Sequence, residues 1–176
     1  FAKGLVKCPD KRFVDRIVTD VSEGVRVGYH GPHESRTCIN WPSAKKFDAD
    51  VRASIEKDCS LGRKLGPFPC PPCADFVASP LGAFPKRSSN KVRVIHDLSY
   101  PQGGSVNDFI SREQCTVQYI SMDTVISAIK KRGRHALLAK ADLSDAFHFV
   151  LVHPDDWHLL GSVYIEEDGT VWYFVS

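Results

Sequence analysis

Two apolar segments with two aspartates between them restrict the fold of this chain more than any other feature. Residues 136–139 are apolar and precede Asp142, and a second apolar run, residues 149–152, follows Asp145. Runs of this length predict two buried strands joined by a short turn. A carboxylate at the end of a buried strand is costly to desolvate, which favours a catalytic or metal-binding role. The structural alternative is a helix cap, which Asp142 or Ser144 could form.

The composition is that of an ordinary globular protein and carries no sign of a membrane segment. The chain has 176 residues, of which 43% are hydrophobic and 25% are charged, and its net charge is +2. No apolar run approaches the roughly 20 residues that span a bilayer, and the N-terminus lacks the apolar core of a secretion signal. We therefore expect an intracellular protein of the cytoplasm or nucleus. Because the chain begins with Phe rather than Met and ends in a strand-like run, we also expect a fragment.

Hydrophobic periodicity predicts helices in the first sixty residues. Apolar residues recur at helical spacing over 13–21 and again over 43–61, where Ser43 is the expected N-cap. The proline-rich stretch 65–85 predicts an extended connection between this helical part and the rest of the chain.

After this connection the sequence predicts both helices and strands. The expected elements are a strand over 92–95, a turn over 101–104, a helix over 121–132 that begins after Ser121, and a hairpin of residues 162–166 and 170–175. The fold class is therefore α+β. We expect residues 1–60 to form a helical N-terminal extension and residues 61–176 to form the main domain.

The sequence alone does not decide the roles of the basic residues and of the cysteines. Two basic clusters are most simply solvated faces, although they also suit a polyanionic partner: Lys86, Arg87, Lys91 and Arg93, and Lys130, Lys131, Arg132 and Arg134. Cys70 and Cys73 have zinc-ligand spacing, but no second pair exists and the histidines are not grouped along the chain. We therefore expect free thiols. We also expect packing or surface roles, rather than metal ligation, for His96, His148, His153 and His158.

Two segments at a characteristic separation resemble a known family. KVRVIHDLSYPQGGSVND (91–108) is followed by LAKADLSDAFHFVLVHPDDW (138–157). Together they resemble retroelement reverse transcriptases, most closely the DIRS-type retrotransposons that integrate with a tyrosine recombinase. The lead-in GPFPCPPCADFVASPLGAFPK (66–86) is also similar to theirs, and GVRVGYHGP (24–32) resembles such elements more weakly.

The resemblance covers residues 61–176 well and residues 1–60 only loosely. It implies a partial right-hand polymerase fold, with the fingers over 61–135 and the start of the palm over 136–176. It also implies an activity, RNA-directed DNA polymerisation, with an RNA or DNA template-primer and deoxynucleoside triphosphates as partners.

The resemblance assigns the palm residues to the metal and the nucleotide. Asp142 matches the first catalytic aspartate, and Leu143 would contribute its backbone carbonyl to the same metal ion. Asp145, Ala146 and Phe147 match the segment beneath the triphosphate and the sugar. Phe147 falls at the steric gate, where an aromatic ring crowds a 2′-hydroxyl and favours deoxynucleotides. The expected cofactor is Mg²⁺, because a hard cation prefers oxygen ligands and two such ions can stabilise the attacking and leaving oxygens.

The resemblance assigns two fingers residues to the incoming triphosphate. Arg93 matches the arginine that grips the phosphates, a task suited to a permanently charged guanidinium fork. Lys86 matches the triphosphate lysine, although Arg87 and Lys91 are close enough to compete for that role. Asp97 has a structural role in this interpretation.

The printed sequence lacks one motif that a complete polymerase palm needs. It contains no Tyr-x-Asp-Asp segment, and Asp155 and Asp156 open a short predicted helix instead of replacing it. Because one carboxylate cannot hold two metal ions in register, we expect this chain alone not to polymerise DNA. Template-dependent extension of a primer by the purified chain with Mg²⁺ would contradict this expectation.

Two other classes of function remain as alternatives. A non-catalytic nucleic-acid-binding module could use the basic fingers alone, but it would need neither Asp142 nor Phe147. A thiol redox protein built on Cys70 and Cys73 is the more remote alternative, because this pair lies in the proline-rich stretch and not at a strand-to-helix junction.

Overall fold

The structure is a computed structural model that describes residues 2–87, 91–115, 119–139, 141, 142, 146 and 150–176. Helices and two β-sheets occur together in this part of the chain, which confirms the α+β class. No helix within these ranges is long and apolar enough to cross a membrane.

The first α-helix, α1, spans Lys11–Glu23 and confirms the helix predicted over 13–21. The side chain of Asp10 caps it by accepting a hydrogen bond from the backbone N–H of Phe13 at 2.9 Å. Gly24 follows its end with a φ of 93°, a conformation that favours glycine.

The helix predicted over 43–61 is two helices, α2 (Pro42–Lys46) and α3 (Asp48–Ser60). The prediction that Ser43 caps it is wrong, because Pro42 already occupies the first helical position, where its missing N–H costs nothing. The Ser43 hydroxyl instead accepts a hydrogen bond from the backbone N–H of Ala83 at 3.2 Å, so it joins α2 to the neighbouring strand.

Seven strands form the two sheets of the described residues. In chain order they are β1 (Arg36–Thr37), β2 (Leu65–Phe68), β3 (Val77–Ala78), β4 (Leu81–Pro85), β5 (Val92–His96), β6 (Gly161–Ile165) and β7 (Val171–Val175). One sheet has the strand order β1-β3-β6-β7-β2, and β4 pairs with β5 in the other. The β1–β3 and β3–β6 pairs are parallel, and the other pairs are antiparallel. The strand predicted over 92–95 and the hairpin predicted over 162–166 and 170–175 are both confirmed.

Among the later helices, the one predicted over residues 121–132 is confirmed almost to the residue. Beyond α4 (Arg112–Cys115), α5 spans Met122–Arg132 between the Ser121 cap and Gly133, as predicted. Its apolar side is nevertheless open, since Met122 is 72% exposed. Short 3-10 helices span Ala2–Leu5, Asn107–Phe109 and Pro154–Leu159. The last of them confirms that Asp155 and Asp156 open a short helix.

The proline-rich stretch is largely extended, as predicted, and its second half lies in the core. Residues 76–83 are all buried, and they include parts of β3 and β4. The first sixty residues pack on the same core, because Val51 and Ile55 of α3 share a buried cluster with Leu81. The proposed division at residue 60 stays a prediction.

The two strands predicted around the aspartates are not formed in the described residues. Residues 136–139 have no regular structure, and Leu137 and Leu138 are 99% and 76% exposed. Of residues 149–152, Val152 makes a single bridge to Val25, and Phe149 lies outside the described residues. A strand needs a neighbour to satisfy its backbone groups, and no strand of either sheet pairs with residues 136–139 or 150–152 among the described residues.

Candidate nucleotide-binding site

The β4–β5 hairpin carries the two predicted fingers residues. Its register runs from Leu81 opposite His96 to Pro85 opposite Val92. The backbone N–H of Lys86 continues the ladder by donating to the carbonyl of Lys91 at 2.8 Å. The pairing therefore fixes which side chains share a face of the hairpin.

One face of the hairpin is buried and the other is basic. Leu81 and Ala83 point into the core, at 3% and 0% exposure. Because side chains alternate along a strand and directly opposed residues share a face, Lys86 and Arg93 project together from the opposite face. Both are exposed, and Phe84, directly opposite Arg93, is 50% exposed beside them. The result is an exposed face that carries two cationic side chains and one aromatic ring.

Asn40 fixes the base of the hairpin against the larger sheet. Its side-chain oxygen accepts a hydrogen bond from the backbone N–H of Leu81 at 2.8 Å, and its side-chain nitrogen donates to the carbonyl of Val163 at 2.9 Å. The backbone N–H of Asp97 also donates to the carbonyl of Pro80 at 2.9 Å. These contacts hold the basic face in a defined orientation.

His96 forms a second connection between the two sheets. Its Nε2 lies 2.8 Å from the carbonyl oxygen of Gly161, so Nε2 must be the protonated nitrogen. Burial and the nearby charge of Lys64 lower the pKa of His96 to about 4, so the ring is neutral at physiological pH. The predicted packing role of His96 is confirmed.

Asp97 has a structural role, as expected. Its carboxylate accepts hydrogen bonds from the indole N–H of Trp41 and the backbone N–H of Ser99, each at 3.1 Å. The interaction with Trp41 connects the end of β5 to the start of α2.

The predicted palm residues are not brought into a site by the described part of the chain. Asp142 is exposed and lies outside both sheets, and Ala146 is also exposed. Leu143, Asp145 and Phe147 lie outside the described residues, as do Ser144 and His148. The described residues directly before Asp142, 136–139 and 141, form no strand, although a rigid one was expected there. The structure therefore brings together Lys86 and Arg93, and the roles of the palm residues stay predictions.

A second group of polar side chains was missed by the sequence analysis. His33, Asp75 and His158 place one nitrogen or oxygen atom each within 4.8 Å of one another. They come from three segments that are far apart in the chain, so no local spacing of residues predicts the cluster. Their sequence signal is indirect: Asp75 lies two residues after Cys73. The expected free thiols are confirmed for the cysteines whose side chains are described, namely Cys8, Cys38, Cys59, Cys70 and Cys73.

Comparison of the chain with protein-family models, with curated proteins and with solved structures gave no match. The assignment of function therefore rests on the chain's own residues. Among these, Lys86 and Arg93 on the exposed face of the β4–β5 hairpin offer positive charge to a polyanionic ligand.

Proposed function

We propose that this chain is the fingers and the first palm segment of a reverse transcriptase, which performs template-directed nucleotidyl transfer. The observation that carries the proposal is the β4–β5 hairpin, which projects Lys86 and Arg93 from one exposed face. The family resemblance assigns both residues to the incoming triphosphate by their positions in the sequence, independently of their register in the hairpin. The hairpin fits the partial right-hand polymerase fold, which itself remains part of the proposal.

The chemistry of this face suits a triphosphate. A guanidinium offers a planar fork of N–H donors that can bind two phosphate oxygens at once. An ammonium adds a compact charge with three donors. The exposed ring of Phe84 lies on the same face, opposite Arg93, and aromatic faces can stack on nucleobases. The same face can therefore contact both the phosphates and a base of a nucleic-acid ligand.

The palm residues complete the proposal. Asp142 and the carbonyl of Leu143 would hold Mg²⁺, whose preference for oxygen ligands they satisfy. Mg²⁺ bound there would stabilise the charge that develops on the phosphoryl oxygens. Asp145, Ala146 and Phe147 would lie beneath the nucleotide, with Phe147 excluding a 2′-hydroxyl. Asp142 is exposed, so its carboxylate can reach a solvated ion.

We expect the double substitution Lys86→Ala and Arg93→Ala to weaken binding of a fluorescent deoxynucleoside triphosphate at least about 10-fold. Each charged hydrogen bond to phosphate contributes roughly 1.5–3 kcal/mol, and 1.4 kcal/mol corresponds to a factor of ten. Fluorescence anisotropy with Mg²⁺ and a template-primer present measures the affinity. The control Arg12→Ala with Lys57→Ala removes the same charge from exposed positions of α1 and α3.

Equal effects of the two double substitutions would contradict the proposal, because net charge alone would then explain binding. Salt-dependent binding of single-stranded RNA or DNA by the wild-type chain, without any binding of the triphosphate, would favour the non-catalytic nucleic-acid-binding module. Comparison of deoxyribonucleotide and ribonucleotide affinity, with and without Phe147→Ala, tests the steric gate separately.

A further inference from the structure

A cluster of potential metal ligands lies on three segments outside the β4–β5 hairpin. His33 precedes β1, Asp75 precedes β3, and His158 belongs to the 3-10 helix Pro154–Leu159. Oδ2 of Asp75 lies 3.8 Å from Nδ1 of His33 and 3.5 Å from Nε2 of His158. The two imidazole rings face each other at a tilt, with their centroids 5.5 Å apart. Three ligand atoms therefore converge on one point.

The nitrogen that His158 turns toward this point has no hydrogen-bond partner. Among the described residues, Nε2 of His158 is buried without such a partner, and the side chain is only 11% exposed. Buried polar atoms in folded proteins are almost always hydrogen-bonded or bound to an ion. A ring nitrogen in this position can serve as a metal ligand.

Cys73 could supply a fourth ligand by a rotation of its side chain. It lies two residues before Asp75, and its thiol interacts with the Asp75 carboxylate. Its sulfur is not among the atoms that lie within 4.8 Å of one another, but the side chain is exposed and can turn toward an ion held by the other three residues. A bound metal ion would stabilise the thiolate and release its proton to solvent.

We propose that His33, Asp75 and His158 form a zinc site, with Cys73 as its fourth ligand. Zinc bonds of about 2.0–2.2 Å in a tetrahedron place two nitrogen or oxygen ligands roughly 3.3–3.6 Å apart. The two separations from Asp75, 3.5 and 3.8 Å, are close to this range, and all three ligand atoms lie within 4.8 Å of one another. A set of two imidazoles, one carboxylate and one thiolate suits zinc, whereas Mg²⁺ and Ca²⁺ prefer oxygen ligands alone.

The site would have a structural role. It would join the segment before β1, the segment before β3 and the 3-10 helix that leads into β6, and it uses none of the residues assigned to nucleotide binding. Because His33 is 64% exposed, the ion would be reached directly from solvent. The predicted packing or surface role of His158 would then be replaced by metal ligation.

Titration of the purified full chain with Co²⁺ and Zn²⁺ tests this site. We expect one ion per chain, visible absorption typical of tetrahedral Co²⁺, and a thiolate-to-metal charge-transfer band. Asp75→Asn, His33→Ala and His158→Ala should each weaken binding at least about 10-fold, since the loss of an outer partner of a metal ligand alone costs 10–100-fold. Zn²⁺ at about 100 times its dissociation constant should raise the melting temperature by roughly 5–10 °C.

Matched controls separate this site from adventitious binding. His30→Ala removes an exposed histidine outside the cluster, and Cys70→Ser removes the other thiol of the Cys-Pro-Pro-Cys segment. Both should retain wild-type affinity, whereas Cys73→Ser should lose the charge-transfer band. Exposed His33 can be replaced without disturbing the core, so its variant remains informative if His158→Ala fails to fold. Unchanged affinity in His33→Ala and Asp75→Asn, or the absence of stoichiometric binding, would overturn the proposal.

Discussion

Replacement of Asp156 by alanine should lower the free energy of unfolding by about 3 kcal/mol. The Asp156 side chain is only 6% exposed. Its carboxylate accepts hydrogen bonds from Nε and Nη2 of Arg26, at 3.0 and 2.9 Å, and from the backbone N–H of Val27 at 2.8 Å. Removal of the carboxylate leaves three donors without their acceptor and leaves a cavity. This contact joins the segment after α1 to the 3-10 helix before β6. Its removal should therefore lower the free energy of global unfolding and not only that of a local segment.

Asp155 provides a matched control on the same arginine. Its carboxylate accepts a hydrogen bond from Nη1 of Arg26 at 3.1 Å, but its side chain is 65% exposed. Exposed ion pairs contribute about 0–1 kcal/mol, so Asp155→Ala should change the unfolding free energy by no more than that. Urea unfolding followed by circular dichroism measures both variants. Similar losses for the two variants would show that burial of Asp156 is not the cause.

The pH dependence of the Asp156 contribution has a definite sign. Burial opposes ionisation of this carboxyl, but the hydrogen bonds from Arg26 and Val27 outweigh it and hold the pKa of Asp156 below its ordinary value. The stabilisation is therefore fully present above the unfolded pKa of about 3.9, and it is lost as the pH falls through the lower folded value. Between neutral pH and strongly acidic pH, Asp156→Asn should lose less stability than the wild-type chain.

Elements with signals on both sides of them were predictable from the sequence. The helix α5 has Ser121 before it and Gly133 after it, and the β6–β7 hairpin has a Glu-Asp-Gly turn between two alternating runs. In each case the cap or turn chemistry and the apolar pattern favour the same boundaries. Elements that depend on distant partners were not predictable in this way. The apolar run 136–139 has strand-like composition, but no neighbour in the described residues pairs with it.

The two candidate sites also differ in whether they depend on local or on distant parts of the chain. The shared face of Lys86 and Arg93 follows from hairpin register, which is a local property of two adjacent strands. The cluster of His33, Asp75 and His158 depends on how three distant segments pack, so no window of the sequence contains it. The Cys-Pro-Pro-Cys segment has zinc-ligand spacing and lies next to Asp75 in the chain, but its spacing alone favoured free thiols. The structure brings Cys73 to an aspartate and, through that aspartate, close to two histidines, and not to a second cysteine pair.

A buried lysine behind the basic hairpin carries the second large expected effect. Lys64 is 8% exposed, and its Nζ donates hydrogen bonds to the hydroxyl of Ser162, at 3.1 Å, and to that of Ser176. These partners are neutral, so they compensate only part of the cost of burying an ammonium. Burial lowers the pKa of Lys64 from 10.5 to about 8, although Asp58 and Cys59 oppose the shift.

We expect Lys64 to make the protein more stable at alkaline pH than at neutral pH. Burial of a charged lysine lowers the stability of the folded state when the folded pKa lies below the unfolded pKa. This loss of stability is fully present at pH values below the folded pKa. Between about pH 8 and about pH 10.5 the unfolded state binds more protons, so stability rises with pH there. A shift of about 2.5 units, at 1.36 kcal/mol per unit, corresponds to a rise of about 2–3 kcal/mol in unfolding free energy between pH 7 and pH 10.

Comparison with Lys64→Met isolates this contribution from the cysteines and tyrosines that titrate over the same range. Urea unfolding at pH 7 and pH 10 should show that the unfolding free energy of the wild-type chain rises between these values. In Lys64→Met this rise should be smaller by about 2–3 kcal/mol. Lys131→Met, an exposed position on α5, should keep the wild-type pH dependence. The same slope in all three proteins would mean that Lys64 is charged at no cost in the folded state. Loss of the slope in Lys64→Met alone would place an uncharged amine behind the hairpin above about pH 8. In Lys64→Met the charge that disfavours a proton on His96 is absent, so the pKa of His96, which burial chiefly lowers, should move upward in that variant.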